Sequence, residues 1–470
     1  MSATATTEKK YLKWYQKLAY GSGDLASNCS YGLVSSFVLL YLTGTLGLDS
    51  AIIGSLMLAS KVLDGISDVI FGTLIDRTHS KLGKARPWML FGQVGVSLCL
   101  FLLFAIPAGS TTMQYIYFFI VYTALNAVFY TANGIAYSSL VALITKNNNE
   151  RVQLGSFRFM FAVVTNIFMG FAVTGMVEKF GSGAAGWRTT ALIFAIVGLV
   201  VNTISCLAVK ELPEKELSDN TSEAAEEGKA VAEEKKHGFA ETAKILVHNK
   251  YYLMILAIYI VYYIMSNLTT GAGVFCATYY WGDGSLLGQF SMMKMFPVII
   301  ALAIAPVLIK KTGSMQKVNF WGYAISSVLG IPMIYFAMQK NLSMFLLFMF
   351  IKGIFAGTLS GSLNALIAEA SGYTTRTTGI HMDGMMYSCS SLGVKVGGGI
   401  GTAAVGWLLK LGGFVGTATV QSESAIRMIF NLYITFPFVI GIIITVLLAF
   451  LDVEKANKKW DAEHQKEAQA

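Results

Sequence analysis

The feature that most constrains this chain is a recurring apolar segment. Stretch after stretch reaches about 20 mostly uncharged residues, the length at which a helix crosses the hydrocarbon core of a bilayer. Short polar turns separate these stretches, and only once does a long charged run intervene. We place twelve of them, at about 18–43, 50–75, 88–108, 113–142, 155–177, 188–209, 252–274, 286–309, 317–338, 342–370, 380–409 and 427–451. Backbone in lipid must satisfy its own hydrogen bonds, so such segments become helices. The expectation is an all-α membrane protein with twelve transmembrane helices in two six-helix halves. Charged residues make up 13% of the chain, against about 25% in a soluble domain. That excludes a disordered protein, a nucleic-acid-binding tail and almost any soluble enzyme. Glycine, at 46 residues, suits helices that approach closely in lipid.

The long interruption, ELPEKELSDNTSEAAEEGKAVAEEKKHG, mixes charges and cannot insert. It divides the chain into a tail (1–17), an N-terminal bundle (18–210), a linker (211–250), a C-terminal bundle (251–451) and a second tail (452–470). Basic residues set the orientation. Lys9, Lys10, Lys13 and Lys17 precede the first span, and Arg77, Lys81, Lys84 and Arg86 lie between the second and third. Lys310, Lys311 and Lys317 fall between the eighth and ninth, and Lys455, Lys458, Lys459 and Lys466 in the final tail. The opposite turns LTGTLGLDS and PAGSTTM have no Lys or Arg. The positive-inside rule then puts both termini and the linker in the cytoplasm of a cell-membrane protein. The first 18 residues lack the pattern of a cleavable signal. The five cysteines sit in or beside apolar segments without CxxC spacing, so they read as inert buried thiols, and no metal site or cofactor is expected. FGTLIDRTHSKLGKARPW and VLIKKTGSMQKVNFW stand at matching places in the two halves and suggest a weak repeat. Two six-helix halves point to a transporter in which two bundles rock about a central site.

An ionisable side chain inside a span costs at least ~2.5–3.5 kcal/mol and marks a functional candidate. Asp64 and Asp68 lie four apart in SKVLDGISDVIFG, on one helix face, with Ser67 between them and Lys61 one turn before. Their repulsion calls for a bound cation, a shared proton or a basic partner. In the first span, Asp24, Asn28 and Tyr31 form one polar stripe, which suits either a hydroxylated ligand or contacts between helices. The fourth span adds Asn126, Tyr130, Thr131, Asn133, Tyr137 and Ser138. Arg158 opens the fifth span, and Lys395 sits mid-span in the eleventh with Ser390 and Ser391 a turn earlier. Glu369, Arg376, His381 and Asp383 flank the tenth–eleventh turn as a candidate cytoplasmic gate cluster.

YGSGDLASN, KVLDGISDVIFGTLIDRTHSKLGKARPW and YTTRTTGIHMDGMMYSCSSLGVKVG together resemble the glycoside–pentoside–hexuronide:cation symporter family, in order and over essentially the whole chain. The resemblance implies a major-facilitator fold and transport of a sugar or glycoside coupled to H⁺, Na⁺ or Li⁺. It carries the cation site onto Asp64, Ser67, Asp68 and Thr131, and sugar contacts onto Asn28, Tyr130, Arg158 and Lys395. The family's galactoside carrier has asparagine at the Ser67 position, aspartates at those of Asn28 and Gly134, and tryptophan at that of Ser138. Loss of two carboxylates beside Arg158 and Lys395 makes the pocket more positive, so a glucuronide is one expected substrate and a neutral β-glycoside or pentoside the other. The full candidate pocket is Asp24, Asn28, Tyr31, Tyr130, Asn133, Tyr137, Arg158, Ser390, Ser391 and Lys395. A cytoplasmic brace is expected from Asp76, Arg77, Lys84 and Arg86, joined by Glu369 and Arg376. The other candidates are a lysolipid carrier of the same fold and an intramembrane enzyme. The enzyme lacks any His pair, HExxH or DDxxD cluster. The expected partners are a small sugar and the bilayer, with no nucleic acid, and the expected carrier is a monomer.

Overall fold

The computed structural model describes residues 9–213, 245–380, 383–418 and 420–467, and among them there is no strand. Most of the 211–250 linker and His381 lie outside the described residues, as does the side chain of Asp383. The helices are α1 (Trp14–Gly21), α2 (Gly23–Leu40), α3 (Ser50–Asp76), α4 (Arg86–Leu103), α5 (Thr111–Thr123), α6 (Thr131–Ile144), α7 (Asn148–Lys179) and α8 (Gly183–Leu207). After the linker come α9 (Lys250–Phe275), α10 (Leu286–Thr312), α11 (Met315–Met338), α12 (Leu342–Thr378), α13 (Asp383–Leu411), α14 (Glu423–Phe430), α15 (Phe436–Phe450) and α16 (Val453–Glu467). Short π-helical turns join several of them, including Tyr41–Thr45, Ala124–Tyr130 and Asn431–Thr435, so α5 and α6 form one continuous span. Among the described residues, 11 helices are long and apolar enough to cross a membrane. α3 is a further long helix of 27 residues. It carries three charges, Lys61, Asp64 and Asp68, close together in its middle, which accounts for the difference from twelve.

Capping follows the sequence. Asp49 accepts from the N–H groups of Ala51 and Ile52 to start α3, Asn147 from Glu150 to start α7, and Asn249 from Tyr251 and Tyr252 to start α9. A short polar side chain before an apolar run satisfies orphan N–H groups in this way.

The described residues fall into two compact units. One comprises those within Met1–Asp219, Ala277–Gly288 and Gly406–Ile426, and the other the remainder. In the N-terminal unit α2 packs on α7 and α8, α4 on α6 and α8, and α3 on α5 and α6. Its core gathers Tyr20, Met89, Tyr137, Leu140 and Leu154. In the C-terminal unit α11 packs on α12 and α15, and α9 on α15 and α12. α13 docks on α9 through glycines, because a Cβ at Gly401 would stand 2.6 Å from the carbonyl oxygen of Ile264. The glycines that follow Lys395 thus serve the close helix packing that their spacing suggests.

The two halves repeat one device. In the N-terminal unit the Glu211 carboxylate accepts from the backbone N–H groups of Lys84, Ala85 and Arg86 at 2.7–3.0 Å, binding the start of α4. In the C-terminal unit the Glu454 carboxylate accepts from Met315 and Gln316 N–H at 2.8 and 3.0 Å and from the Ser314 hydroxyl, binding the start of α11. Each glutamate follows the last span of its half and neutralises the positive end of the third helix. The weak repeat seen in the two basic loops is therefore a repeated helix-start site.

Candidate functional site

The acidic pair sits on α3, and its neighbours come from α3 and α6. Lys61 Nζ lies 3.4 Å from Asp64 Oδ2, with the two side chains 18% and 14% exposed. The Thr131 hydroxyl donates to Asp64 Oδ1 at 2.7 Å. Thr131 follows directly on the π turn Ala124–Tyr130. A π turn rotates the helix face that continues beyond it, and such turns concentrate at functional positions. Ser67 donates to the Asp64 carbonyl oxygen at 2.9 Å, and Asp68 is half-buried one turn on. Asp64 thus meets Thr131 and Lys61 directly, with Ser67 and Asp68 within one turn of it on the same helix.

A second cluster lies between α2 and α7. Arg158 Nε donates to Asp24 Oδ2 at 2.6 Å, with the side chains 25% and 18% exposed. The guanidinium lies 4.2 Å from the centre of the Tyr137 ring. The Asn28 amide donates to the Asp24 carbonyl oxygen, and its Oδ1 accepts from Asn166. Tyr31 stacks on Tyr130 at 5.6 Å between ring centres. Asp24, Asn28, Tyr31, Tyr130, Tyr137 and Arg158 therefore form one polar and aromatic wall. Two sequence expectations need adjustment here. Arg158 does not supply surplus positive charge, because Asp24 balances it. Asn133 is 1% exposed and donates to Gln93 Oε1 at 2.9 Å, which makes it part of the α4–α6 contact. Gln93 and Asn166 were not singled out from sequence, where each reads as a solitary amide in an apolar span.

The C-terminal unit holds the remaining pocket candidates. Lys395 is half-buried on α13, Ser390 donates to the Tyr387 carbonyl oxygen, and Ser391 is exposed. Lys294 and Lys352 were missed. Each is one charge in an apolar span, the same signal that marked Lys395. Both line a cavity of about 180 Å³ among α9, α10, α11, α12 and α15.

The expected brace divides between the units. Asp76 and Arg77 are exposed, whereas Arg86 is buried and donates to the carbonyl oxygens of Cys206 and Leu82. Arg86 therefore pins the α4 start beside Glu211. Glu369 and Arg376 meet at Asn457 of α16, which donates to the Glu369 carboxylate and accepts from Arg376, both at 2.9 Å. Arg376 also reaches Asp461 at 3.6 Å. The final amphipathic helix is the partner of this pair.

Long apolar helices in two compact units, with charged and aromatic groups held inside the spans, define a multi-span membrane protein. The chain matches the MFS/sugar transport protein family over residues 19–455, and it belongs to that family. Its likeness to the glycoside–pentoside–hexuronide:cation symporters holds along its length. It is 26% identical to the isoprimeverose transporter of Lactiplantibacillus pentosus over 98% of this chain and 93% of that one. It is 23% identical to the glucuronide carrier protein homolog of Escherichia coli over 86% and 85% of the two chains. Among solved structures, a bacterial homologue of the lysosomal transporter Spinster has the same fold, with a TM-score of 0.69 at 13% identity, covering 95% of this chain and 98% of that one. The chain is a sugar transporter by class.

Proposed function

We propose that this transporter is a symporter that imports a small glycoside, either pentose-bearing or a glucuronide, with one H⁺ or Na⁺ as the coupling ion. The observation that carries the reading is the Asp64 carboxylate held between the Lys61 ammonium and the Thr131 hydroxyl in a membrane-spanning helix. A carboxyl in such a place is either protonated or held by a cation or a basic side chain. Lys61 fills that role in this arrangement. An arriving cation, bound by Asp64, Asp68, Ser67 and Thr131, competes with Lys61 for the same oxygens. That exchange changes the charge of α3 once per cycle.

The Asp24–Arg158 wall, with Asn28, Tyr31, Tyr130 and Tyr137, would hold the sugar. Hydroxyl groups of a sugar pair with amide and charged groups, and its apolar face rests on an aromatic ring. The names of the two relatives support the two substrate readings, isoprimeverose for the pentoside and glucuronide for the acid. Ion and sugar that favour the same state raise each other's affinity by the same factor. We further place both termini in the cytoplasm and take the monomer as the working unit.

The test is uptake by cells or proteoliposomes given labelled isoprimeverose or a labelled β-glucuronide, with and without Na⁺ and with and without a protonophore. Accumulation of either sugar that collapses when its ion gradient is removed is expected. Asp68→Asn should abolish uphill accumulation and keep sugar exchange. Unchanged uphill uptake in that variant would remove the cation site from α3.

A further inference from the structure

The cavity inside the C-terminal unit differs in charge from the Asp64 and Asp24 clusters of the N-terminal unit. Lys294 on α10 and Lys352 on α12 both line it, together with Tyr262, Thr269, Tyr323 and Ser360. Among the described residues, none that line it is an aspartate or a glutamate. Lys294 Nζ donates to the hydroxyls of Thr269 and Thr270 at 3.2 and 3.3 Å, and these are neutral acceptors. The two lysine helices are drawn close together. A Cβ on Gly353, the neighbour of Lys352, would stand 2.8 Å from Pro297 Cβ, one turn beyond Lys294.

A second observation points into the same space. Tyr323 is 2% exposed, lines the cavity, and its hydroxyl has no hydrogen-bond partner. Buried hydroxyls almost always find one. Two ammonium groups and an orphaned phenol hydroxyl can all donate, and a ligand offering several acceptor oxygens and negative charge would satisfy them together.

We propose that this cavity is a binding site for a small oxyanion, a carboxylate, sulfonate, sulfate or phosphate group held by Lys294, Lys352 and Tyr323. The cavity, about 180 Å³, has room for a free anion or for the acidic end of a larger molecule. The site shares no residue with the Asp64 and Asp24 clusters, so it stands whichever glycoside or coupling ion the carrier uses.

The experiment is titration calorimetry of the full chain in lipid nanodiscs with sodium sulfate and with sodium D-glucuronate, using D-glucose as the uncharged control. The wild type should bind at least one of the two anions. Lys352→Gln and Lys294→Gln should each weaken that binding at least tenfold, Lys352→Arg should retain it within about threefold, and Tyr323→Phe should weaken it severalfold. A circular-dichroism melt checks that each variant is folded, and Tyr323→Phe with Lys352→Arg carry the test if a glutamine variant is not. Sulfate binding without glucuronate binding assigns the site to a free anion. Glucuronate binding followed by glucuronate uptake assigns it to the acid group of a carried molecule. The proposal is overturned if neither anion binds the wild type, or if Lys294→Gln/Lys352→Gln binds as the wild type does. Glycoside uptake measured on the same preparations keeps that outcome distinct from a failure of the symport reading.

Discussion

The two halves share a scaffold and differ in how they treat charge. Both fix the start of their third helix with a glutamate from beyond their sixth, Glu211 in one and Glu454 in the other. In the N-terminal unit, Arg158 is matched by Asp24 and Lys61 by Asp64, side chains from the same unit. In the C-terminal unit, Lys294 and Lys352 face a cavity lined, among the described residues, by no carboxylate. Backbone ends impose the same electrostatic demand on both halves, so the cap was kept in both. Side-chain charges inside spans are not under that demand, and there the halves diverge. Pairing within the N-terminal unit balances the two cations held inside its spans, Arg158 and Lys61. Unmatched lysines give the C-terminal unit a standing demand for negative charge.

The largest effect that tests this contrast lies in the Arg158–Asp24 pair. Arg158→Gln strands a mostly buried carboxylate, and breaking such a pair costs about 3–5 kcal/mol. Asp24→Asn added to it removes the stranded charge, and much of the stability should return, although sugar binding should not. Lys352→Gln in the other half should leave the unfolding temperature unchanged or raise it, because it deletes a charge that no carboxylate balances. Thermal unfolding of the four proteins in detergent decides the matter. Equal losses in Arg158→Gln and the double variant would mean that the pair is not internally balanced. A large loss in Lys352→Gln would erase the difference between the halves.

Sequence patterning read the architecture well because lipid makes helices obligatory and hydropathy records them directly. It also put Asp64, Ser67 and Asp68 on one face, since spacing along one helix is a local property. Pairing between helices was not legible. Asp24 and Arg158 are 134 residues apart, and nothing local says that one balances the other. For that reason Arg158 read as a surplus charge. Asn133 read as a ligand group because a polar residue in a span looks the same whether it faces a pocket or a buried glutamine. Glu211 was invisible for a different reason. It stands at the first polar position after a span, where an acid is unremarkable until a helix start arrives beside it.

The repeated caps offer a medium effect on which the halves should agree. Glu211→Gln and Glu454→Gln each weaken hydrogen bonds to backbone N–H groups at a helix start, and hydrogen bonds to a charged group contribute about 1.5–3 kcal/mol. Each variant should lower the unfolding free energy by an amount in or below that range, and the two losses should be similar. A clear loss in one half only, measured by denaturant titration, would show that the shared geometry does not carry a shared energy.

The smallest effect concerns the turn at the start of α3. Asp49 accepts from Lys410 Nζ at 2.6 Å as well as from the α3 backbone. The Lys410 hydrogen bond, with the Ala51 and Ile52 N–H groups, holds the Asp49 carboxyl below its ordinary value of 3.8, against a smaller opposing effect of burial. A carboxyl with a depressed folded pKa adds stability that is fully present above the unfolded pKa and is lost as the pH falls through the folded one. The contribution should therefore be constant from neutral pH to about pH 5 and should disappear below about pH 4. Lys410 is well exposed, so salt should weaken the same contact at neutral pH. Asp49→Asn should show a slightly lower unfolding temperature than the wild type at pH 7 in low salt, and the gap should narrow both at pH 3 and in 1 M salt. A gap that persists under both conditions would show that the charge of Asp49 is not what stabilises this turn, because asparagine caps a helix start as well as aspartate does.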